Sequence, residues 1–366
     1  MFEAKIRELA ARKDSVGPFL SLYIDTARAD ESQRDRIRLF VKNELHKIRD
    51  SIGGNGQQEA VDRALKTIEN YVEKVRPDAR GLALFSCPGD GFFEAVELPV
   101  PVRSEVVIGT RPHLRQLTEL RQRYPRVVIV LVDAKSARLY ELEFGKILKE
   151  IDLENPTLPR NHDQGGWSQA NLQRHVQDQI DRHHKEVADV LARIVDQHRV
   201  SAVIVSGQER NVANFREFLP KRIDEKVIGT LHLDGKSSSV DEIAAACSAI
   251  VATDRGAHLT TRLDSLFQNG KGAFGSEKTI DAFNQRRVDT LFITPLAEGT
   301  GWKCRSCAII GLHVPLGCPS CGSEVTTVNL VDEFISAAEL EDAHVEYLPE
   351  STLVDRHGGV AALLRF

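Results

Sequence analysis

No stretch of this 366-residue sequence approaches the roughly 18 consecutive apolar residues that a membrane span needs. Its first residues, MFEAKIRELAARKD, are charged and lack the apolar core of a signal peptide, so the sequence predicts a soluble, cytoplasmic protein with no membrane partner. An excess of positive charge is also missing. The 48 Lys and Arg against 53 Asp and Glu leave a formal net charge of −5, which speaks against DNA and against non-specific binding that works by neutralising many phosphates. Docking on a structured RNA through a local patch stays open. There is no GxxxxGKS/T phosphate loop, no GxGxxG after a strand, no HExxH and no GxSxG, so several common signatures of nucleotide and hydrolase chemistry are absent. A disulfide framework is the weaker reading of the six cysteines, because four cluster at metal-ligand spacing while Cys87 and Cys247 stand apart.

What is present is ordinary globular material, 42% hydrophobic and 28% charged, enough for two or three domains at about 100–200 residues each. In the first part, residues 19–24 alternate as a strand, 32–50 and 57–75 have helical periodicity, and 81–86 and 92–98 read as strands around the turn at 88–91. The basic side chains Arg34, Arg36, Arg38, Lys42, Lys47 and Arg49 on the first long helix read as a solvated face before they read as an RNA contact. A second part begins near Arg126. The continuous apolar run 127–132 predicts a buried central strand, and 137–143 alternates as its hairpin partner. Another buried strand at 200–206, a helix at 212–219, a strand at 227–233 and a long helix from Asp241 towards Leu266 complete a sheet flanked by helices. The third part, from about Gly270, predicts a helix at 277–284, a buried strand at 288–294, a helix at 334–339, a short strand at 344–348 and a closing strand at 360–366 built into the sheet. The fold class expected is α/β (α+β) and multidomain.

The most informative stretch is 159–198, PRNHDQGGWSQANLQRHVQDQIDRHHKEVADVLARIVDQH. A polar, proline-bounded lead-in ends at Gly165-Gly166, and apolar residues then recur at Leu172, Val176, Ile180, Val187, Leu191 and Val195, the spacing of one helical face. Ser168 is a plausible N-cap, and Trp167 and Gln169 sit at the joint between loop and helix. The glycines permit unusual backbone angles or close approach to another molecule. Of the five histidines here, His175 and His183 lie more than two turns apart and His183 and His184 diverge, so a polar helix surface is expected rather than a metal site. Asp133, ending a buried strand, reads as a capping carboxylate before a catalytic one.

Cys304-Arg-Ser-Cys307 and Cys318-Pro-Ser-Cys321-Gly322 are two CxxC turns separated by ten residues. Each turn aims two thiolates at one ion, so the quartet predicts a closed, structural zinc site, with a redox dithiol pair or iron–sulfur ligation as the other readings. His313, between the pairs, could replace one cysteine.

Together, VVIVLVDAKSARLYELEFGKI, GGWSQANLQRHVQDQI, GAFGSEKTIDAFNQRRVDTLFITP with its cysteine ribbon, and HGGVAALLRF resemble the bacterial branch of the archaeo-eukaryotic class-1 peptide chain release factor and Pelota superfamily. The resemblance covers residues 126–366, with the first part similar to the N-terminal domains of bacterial members. It implies an N-terminal α/β domain (1–122), a release-factor-like middle domain (123–262) and an L30e-like C-terminal domain (263–366) with a zinc ribbon inserted at 301–328. It implies a factor that enters the ribosomal A site, with rRNA and peptidyl-tRNA as partners and a translational GTPase as a further one. Gly165 and Gly166 match the two glycines of the catalytic Gly-Gly-Gln loop that places the water hydrolysing peptidyl-tRNA, and Gln169, separated from them by Trp167 and Ser168, is the best candidate for its glutamine. Trp167, Ser168 and Arg174 would contact rRNA. The stop-codon-reading motifs Asn-Ile-Lys-Ser and Tyr-x-Cys-x-x-x-Phe are absent from the first part. The expectation is a release or ribosome-rescue factor; the alternative is a ribosome hibernation factor that fills the A site without cleaving.

Overall fold

The computed structural model describes residues 2–12, 18–27, 31–52, 58–74, 79–155, 169–198, 200–231, 240–268, 270–349 and 352–366. In the first segment, α1 (Phe2–Ala10) precedes β1 (Phe19–Asp25), α2 (Glu31–Ile52), α3 (Gln58–Glu73), β2 (Gly81–Cys87), β3 (Phe92–Leu98), β4 (Glu105–Gly109) and α4 (Arg115–Arg123). The strands form an antiparallel sheet of order β3-β2-β1-β4. Alternate residues Leu20, Leu22 and Ile24 of β1 and Leu82 and Leu84 of β2 point to one face. There they meet Val41, Leu45 and Ile48 of α2 and Val61, Leu65 and Ile68 of α3, each set at helical spacing. Each such aliphatic side chain contributes about 1.5–3 kcal/mol by leaving water. β4 and α4 are additional to the elements the sequence patterns predict.

The middle segment holds β5 (Val127–Val132), β6 (Ser136–Glu143), β7 (Lys146–Glu154), α5 (Gln169–His198), β8 (Ala202–Ser206), α6 (Glu209–Glu217), α7 (Lys221–Asp224), β9 (Val227–Leu231) and α8 (Val240–Gln268). Its sheet has order β7-β6-β5-β8-β9, with β5, β8 and β9 parallel and the β5-β6-β7 meander antiparallel. The apolar run in β5 is explained by cover on both faces. Val128, Val130 and Val132 pack with Val203 and Val205 against α5 and α6. Val127, Ile129 and Leu131 pack with Ala202 and Ile204 against Ile243 and Cys247 of α8.

The last segment comprises β10 (Gly272–Phe274), α9 (Gly275–Asn284), β11 (Val288–Ile293), β12 (Thr300–Cys304), β13 (Ile310–Gly311), β14 (Val325–Asn329), α10 (Leu330–Leu340), β15 (His344–Tyr347), α11 (Thr352–Asp355) and β16 (Val360–Leu364). One sheet, β10-β16-β11-β15, places the closing strand β16 inside rather than at an edge, and β13-β12-β14 form a separate three-stranded insert. The Gly358-Gly359 pair before β16 is a steric requirement. Both residues have positive φ (77° and 76°), and a Cβ on Gly359 would lie 2.5 Å from the Ala297 nitrogen.

Each segment thus has its own sheet, yet the chain gathers into two compact units: Met1–Gln122 with Arg262–Phe366, and Arg123–Thr261. In the first unit, residues around α4 are tied to the last segment by buried polar groups. His113 Nδ1 lies 2.7 Å from an Asp332 carboxylate oxygen and Arg111 Nε lies 2.8 Å from Glu333, whose other oxygen accepts from Lys303 at 2.8 Å. Arg121 forks onto Glu339, Arg115 donates to the Thr294 carbonyl at 2.9 Å, and the Tyr347 N–H donates to Gln122 at 2.8 Å. No described helix is long and apolar enough to cross a membrane.

Candidate functional site

The helix that follows the glycine loop is built as its spacing predicts. Val187, Leu191, Ile194 and Val195 are buried in the core between α5 and the middle sheet. The first buried side chain described on α5 is Gln179, ten residues or about 15 Å of helix after Gln169, and the aliphatic anchors follow from Val187. Ahead of those anchors Arg174 and His175 are exposed and Val176 and Ile180 only half-buried. An Asn155 side chain at the end of β7 donates to the Gln179 carbonyl at 3.1 Å and steadies the middle of the helix. Gln169 is the first residue of α5, with helical backbone. Gly165, Gly166, Trp167 and Ser168, and with them the N-cap assigned to Ser168, lie outside the described residues.

Two histidines differ from expectation. His183 and His184 are 3% and 0% exposed rather than part of a polar helix surface. His184 stands edge-on to Phe215 at 5.9 Å and near-perpendicular to Phe218 at 6.3 Å, and neither of its ring nitrogens makes a hydrogen bond among the described residues. Burial pushes both imidazole pKa values down, so these rings are neutral packing groups. The signal was available: 180, 183/184, 187 and 191 share one helical stripe. Asp133 does cap its strand end, accepting from the Ala134 N–H at 2.6 Å and the Asn211 amide at 3.2 Å.

The cysteine quartet comes together. Cys304 ends β12, Cys307 sits in the turn after it, and Cys318 and Cys321 lie in the turn leading to β14. All four Sγ atoms are within 4.8 Å of one another, with neighbouring pairs at 3.4, 3.5 and 3.6 Å. A tetrahedron with bonds of about 2.3 Å to sulfur has edges of about 3.8 Å, so the donor set fits a zinc ion, whereas a disulfide would need about 2.05 Å. The Cys307 and Ser306 N–H groups point at Cys304 Sγ at 3.4 and 3.3 Å and hold that thiol below its usual range, which favours the ligating thiolate. Trp302 and Val325 pack against the buried Cys304 and Cys318. His313 is exposed and is not part of the cluster. Cys87 and Cys247 are buried elsewhere and form no disulfide among the described residues.

The sequence patterns did not anticipate the ionic cluster at the joint of the first unit. Burial alone would lower the His113 pKa, but hydrogen bonds to Asp332 and Glu105 reverse that and lift it to about 9. Burial works to raise the Glu105 pKa, but His113, Gln116 and Arg103 together hold it below the usual carboxylate range. Asn329 caps α10 by accepting from the Asp332 N–H at 3.1 Å, which sets Asp332 and Glu333 in the first turn of that helix, facing these cations.

Comparison with known proteins finds similarity to translation release factors. The family model described as bacterial archaeo-eukaryotic release factor family 10 matches residues 112–251, a span that includes the glycine loop and α5. An uncharacterized protein of Mycobacterium tuberculosis is 25% identical over 379 residues, covering 100% of this chain and 97% of that protein. Peptide chain release factor subunit 1 of Archaeoglobus fulgidus is 23% identical over 394 residues, with the same coverage of 100% and 97%. The crystal structure of an archaeal translation termination factor aligns over 100% of this chain and 97% of its own, at 19% identity and a TM-score of 0.27. Residues 112–251 thus match the bacterial archaeo-eukaryotic release factor family 10, and the chain along its whole length is similar to an archaeal peptide chain release factor.

Proposed function

We propose that this protein is a ribosome-binding translation factor of the release or rescue type, which enters the A site and promotes hydrolysis of the peptidyl-tRNA ester through residues 165–169. The observation that carries this reading is the family match over residues 112–251, joined by similarity to a peptide chain release factor along the whole chain. The partly exposed N-terminal stretch of α5 suits the role. It would carry the loop beyond the domain core towards a crowded RNA centre. There the chemistry needs little: a water held in line with the ester carbonyl, and a donor for the developing oxyanion. Gln169 would supply the amide and Gly165-Gly166 the close backbone approach, with Trp167, Ser168 and Arg174 against rRNA.

The test is release of labelled peptide from stalled ribosome–nascent-chain complexes beside sedimentation binding. Gln169→Ala should lower release roughly a hundredfold, as loss of one oxyanion-hole donor does elsewhere, while binding survives. Tight binding of the wild-type protein without release would sink the hydrolytic reading. A second reading, a hibernation factor occupying the A site and peptidyl-transferase centre without cleaving, is favoured by the two residues separating Gln169 from the glycines and by the helical placement of Gln169. Under it, Trp167→Ala weakens binding through lost base stacking.

The family resemblance further supports division into domains at 1–122, 123–262 and 263–366, the last L30e-like and contacting a translational GTPase or the ribosome. Cys304, Cys307, Cys318 and Cys321 would hold one structural zinc, whose bonds tie the two knuckles of an insert too small for a core of its own. Metal analysis should find about one zinc per chain. A fully folded insert without metal would overturn that assignment.

A further inference from the structure

A groove of about 1050 Å³ in the first unit runs between two sheet edges. β4 is the last strand of the order β3-β2-β1-β4, and β14 the last of β13-β12-β14. Residues 107–109 of β4 and 326–329 of β14 line the groove consecutively. Side chains alternate across a strand, so a consecutive lining means that each strand presents its backbone edge rather than one face. Such edges are usually guarded by charge or a bulge. β7, the edge strand of the middle sheet, is guarded in this way. It carries Lys146, Lys149, Glu150, Asp152 and Glu154, and its register shifts at Glu141/Leu142. β14 (VTTVN) has no charged residue, β4 has only its first, and Ile108 in the groove is 41% exposed.

Three of the four charged side chains that line the groove are cations. Arg111, Lys303 and Arg305 line it against the single carboxylate Asp332, which is held by His113. Arg111 and Lys303 share Glu333, and the positive charge this leaves over is matched by Asp332 and Glu105, which share His113. Arg305 reaches Thr326 of β14 at 3.0 Å, and its ion pair with Glu324 is solvent-exposed and therefore weak. With the buried charges balanced among themselves, the exposed Arg305 is the lining cation best placed to meet an anion. We propose that the groove docks an extended, carboxylate-bearing peptide segment of a partner protein, added as a further strand along the β14 edge, with an acidic side chain at Arg305.

The probe is a fluorescein-labelled nonapeptide of alternating Glu and Val, titrated into the full chain at low salt without ribosomes, so that the result is independent of peptide release. Binding is expected, and it should weaken by about tenfold or more in Arg305→Glu and recover in Arg305→Lys. Ile108→Glu on the opposite wall, also an exposed position, should weaken it similarly. Thermal melting confirms that each variant folds. An analogue N-methylated at every amide, with no N–H left on either edge to extend the sheet, should not bind. The proposal is overturned if the Glu–Val peptide fails to bind or if the N-methylated analogue binds as well as the parent. It is also overturned if a Lys–Val nonapeptide binds equally, or if only a single-stranded uridine octamer binds.

Discussion

In residues 123–261 one sheet is covered on both faces by side chains of α5, α6 and α8, and the cohesion comes from Val, Ile, Leu and Ala packed at regular intervals. Where residues 105–122 meet residues 290–347, cohesion comes instead from carboxylates caged by cations: Glu333 between Arg111 and Lys303, and Asp332 on His113. In the first arrangement, losing one member costs its burial and the cavity it leaves, and strands no charge. In the second, removing one charge strands its partners in a place where water cannot replace it. The two units should therefore fail differently.

The largest expected effect is at Glu333. Glu333→Gln leaves Arg111 and Lys303 without their anion at a site where Arg111 is 6% and Glu333 3% exposed. A loss of about 3–5 kcal/mol is expected, read by urea unfolding through Trp302 fluorescence in a Trp167→Phe background. A loss below about 1 kcal/mol would mean that the charged joint does not hold the unit. In the apolar unit, Ile204→Ala at a fully buried position should cost about 2–5 kcal/mol, and Ile204→Val about 0.5–1.5 kcal/mol. These values should be flat with pH, which is the cleanest contrast between the units.

The joint itself should depend on pH. His113 is raised from its ordinary 6.5 to about 9 by Asp332 and Glu105, and it is bounded on its other side by Tyr23, whose hydroxyl donates to the His113 carbonyl at 2.6 Å. A group that binds its proton more tightly in the folded state stabilises fully below its unfolded pKa. It loses that contribution as pH climbs through the folded value. Stability of the first unit should therefore decline between pH 6.5 and 9, by up to about 3 kcal/mol. His113→Gln should flatten the profile; a profile that rises over this window would reverse the assignment.

The same contrast explains what could be read in advance. β5, β8, α5 and the start of α8 were legible because a covered sheet and its helices write their periodicity into neighbouring residues, as 127–132 and 187–195 do. β4 and α4 were not. The helix around Leu114, Leu117 and Leu120 also buries Gln116 and Thr118, and its Arg115 and Arg121 find partners some 180 to 220 positions away in sequence. Nothing within a window of a dozen residues records such a partner. β7 was missed because an exposed edge strand carries too many charges to look like one. The clustering of the four cysteines was legible, since two CxxC turns record it within a short window. His183 and His184 were misread because their polarity was weighed above their position on the apolar stripe.

The smallest expected effect sharpens the comparison most. Arg222 forks onto Asp196 in the middle segment, its second nitrogen 2.9 Å from the carboxylate. As a contact this resembles the ion pairs of the joint, but both side chains are about half exposed, 55% and 54%. Water and salt compete for each charge before and after the pair is broken, so Arg222→Ala should change stability by at most about 1 kcal/mol, and less still in 0.5 M salt. If it instead matched Glu333→Gln, contact geometry would be what holds these pairs. The small value is expected because burial decides: an ion pair matters to this fold in proportion to how completely its surroundings deny the charges any other partner.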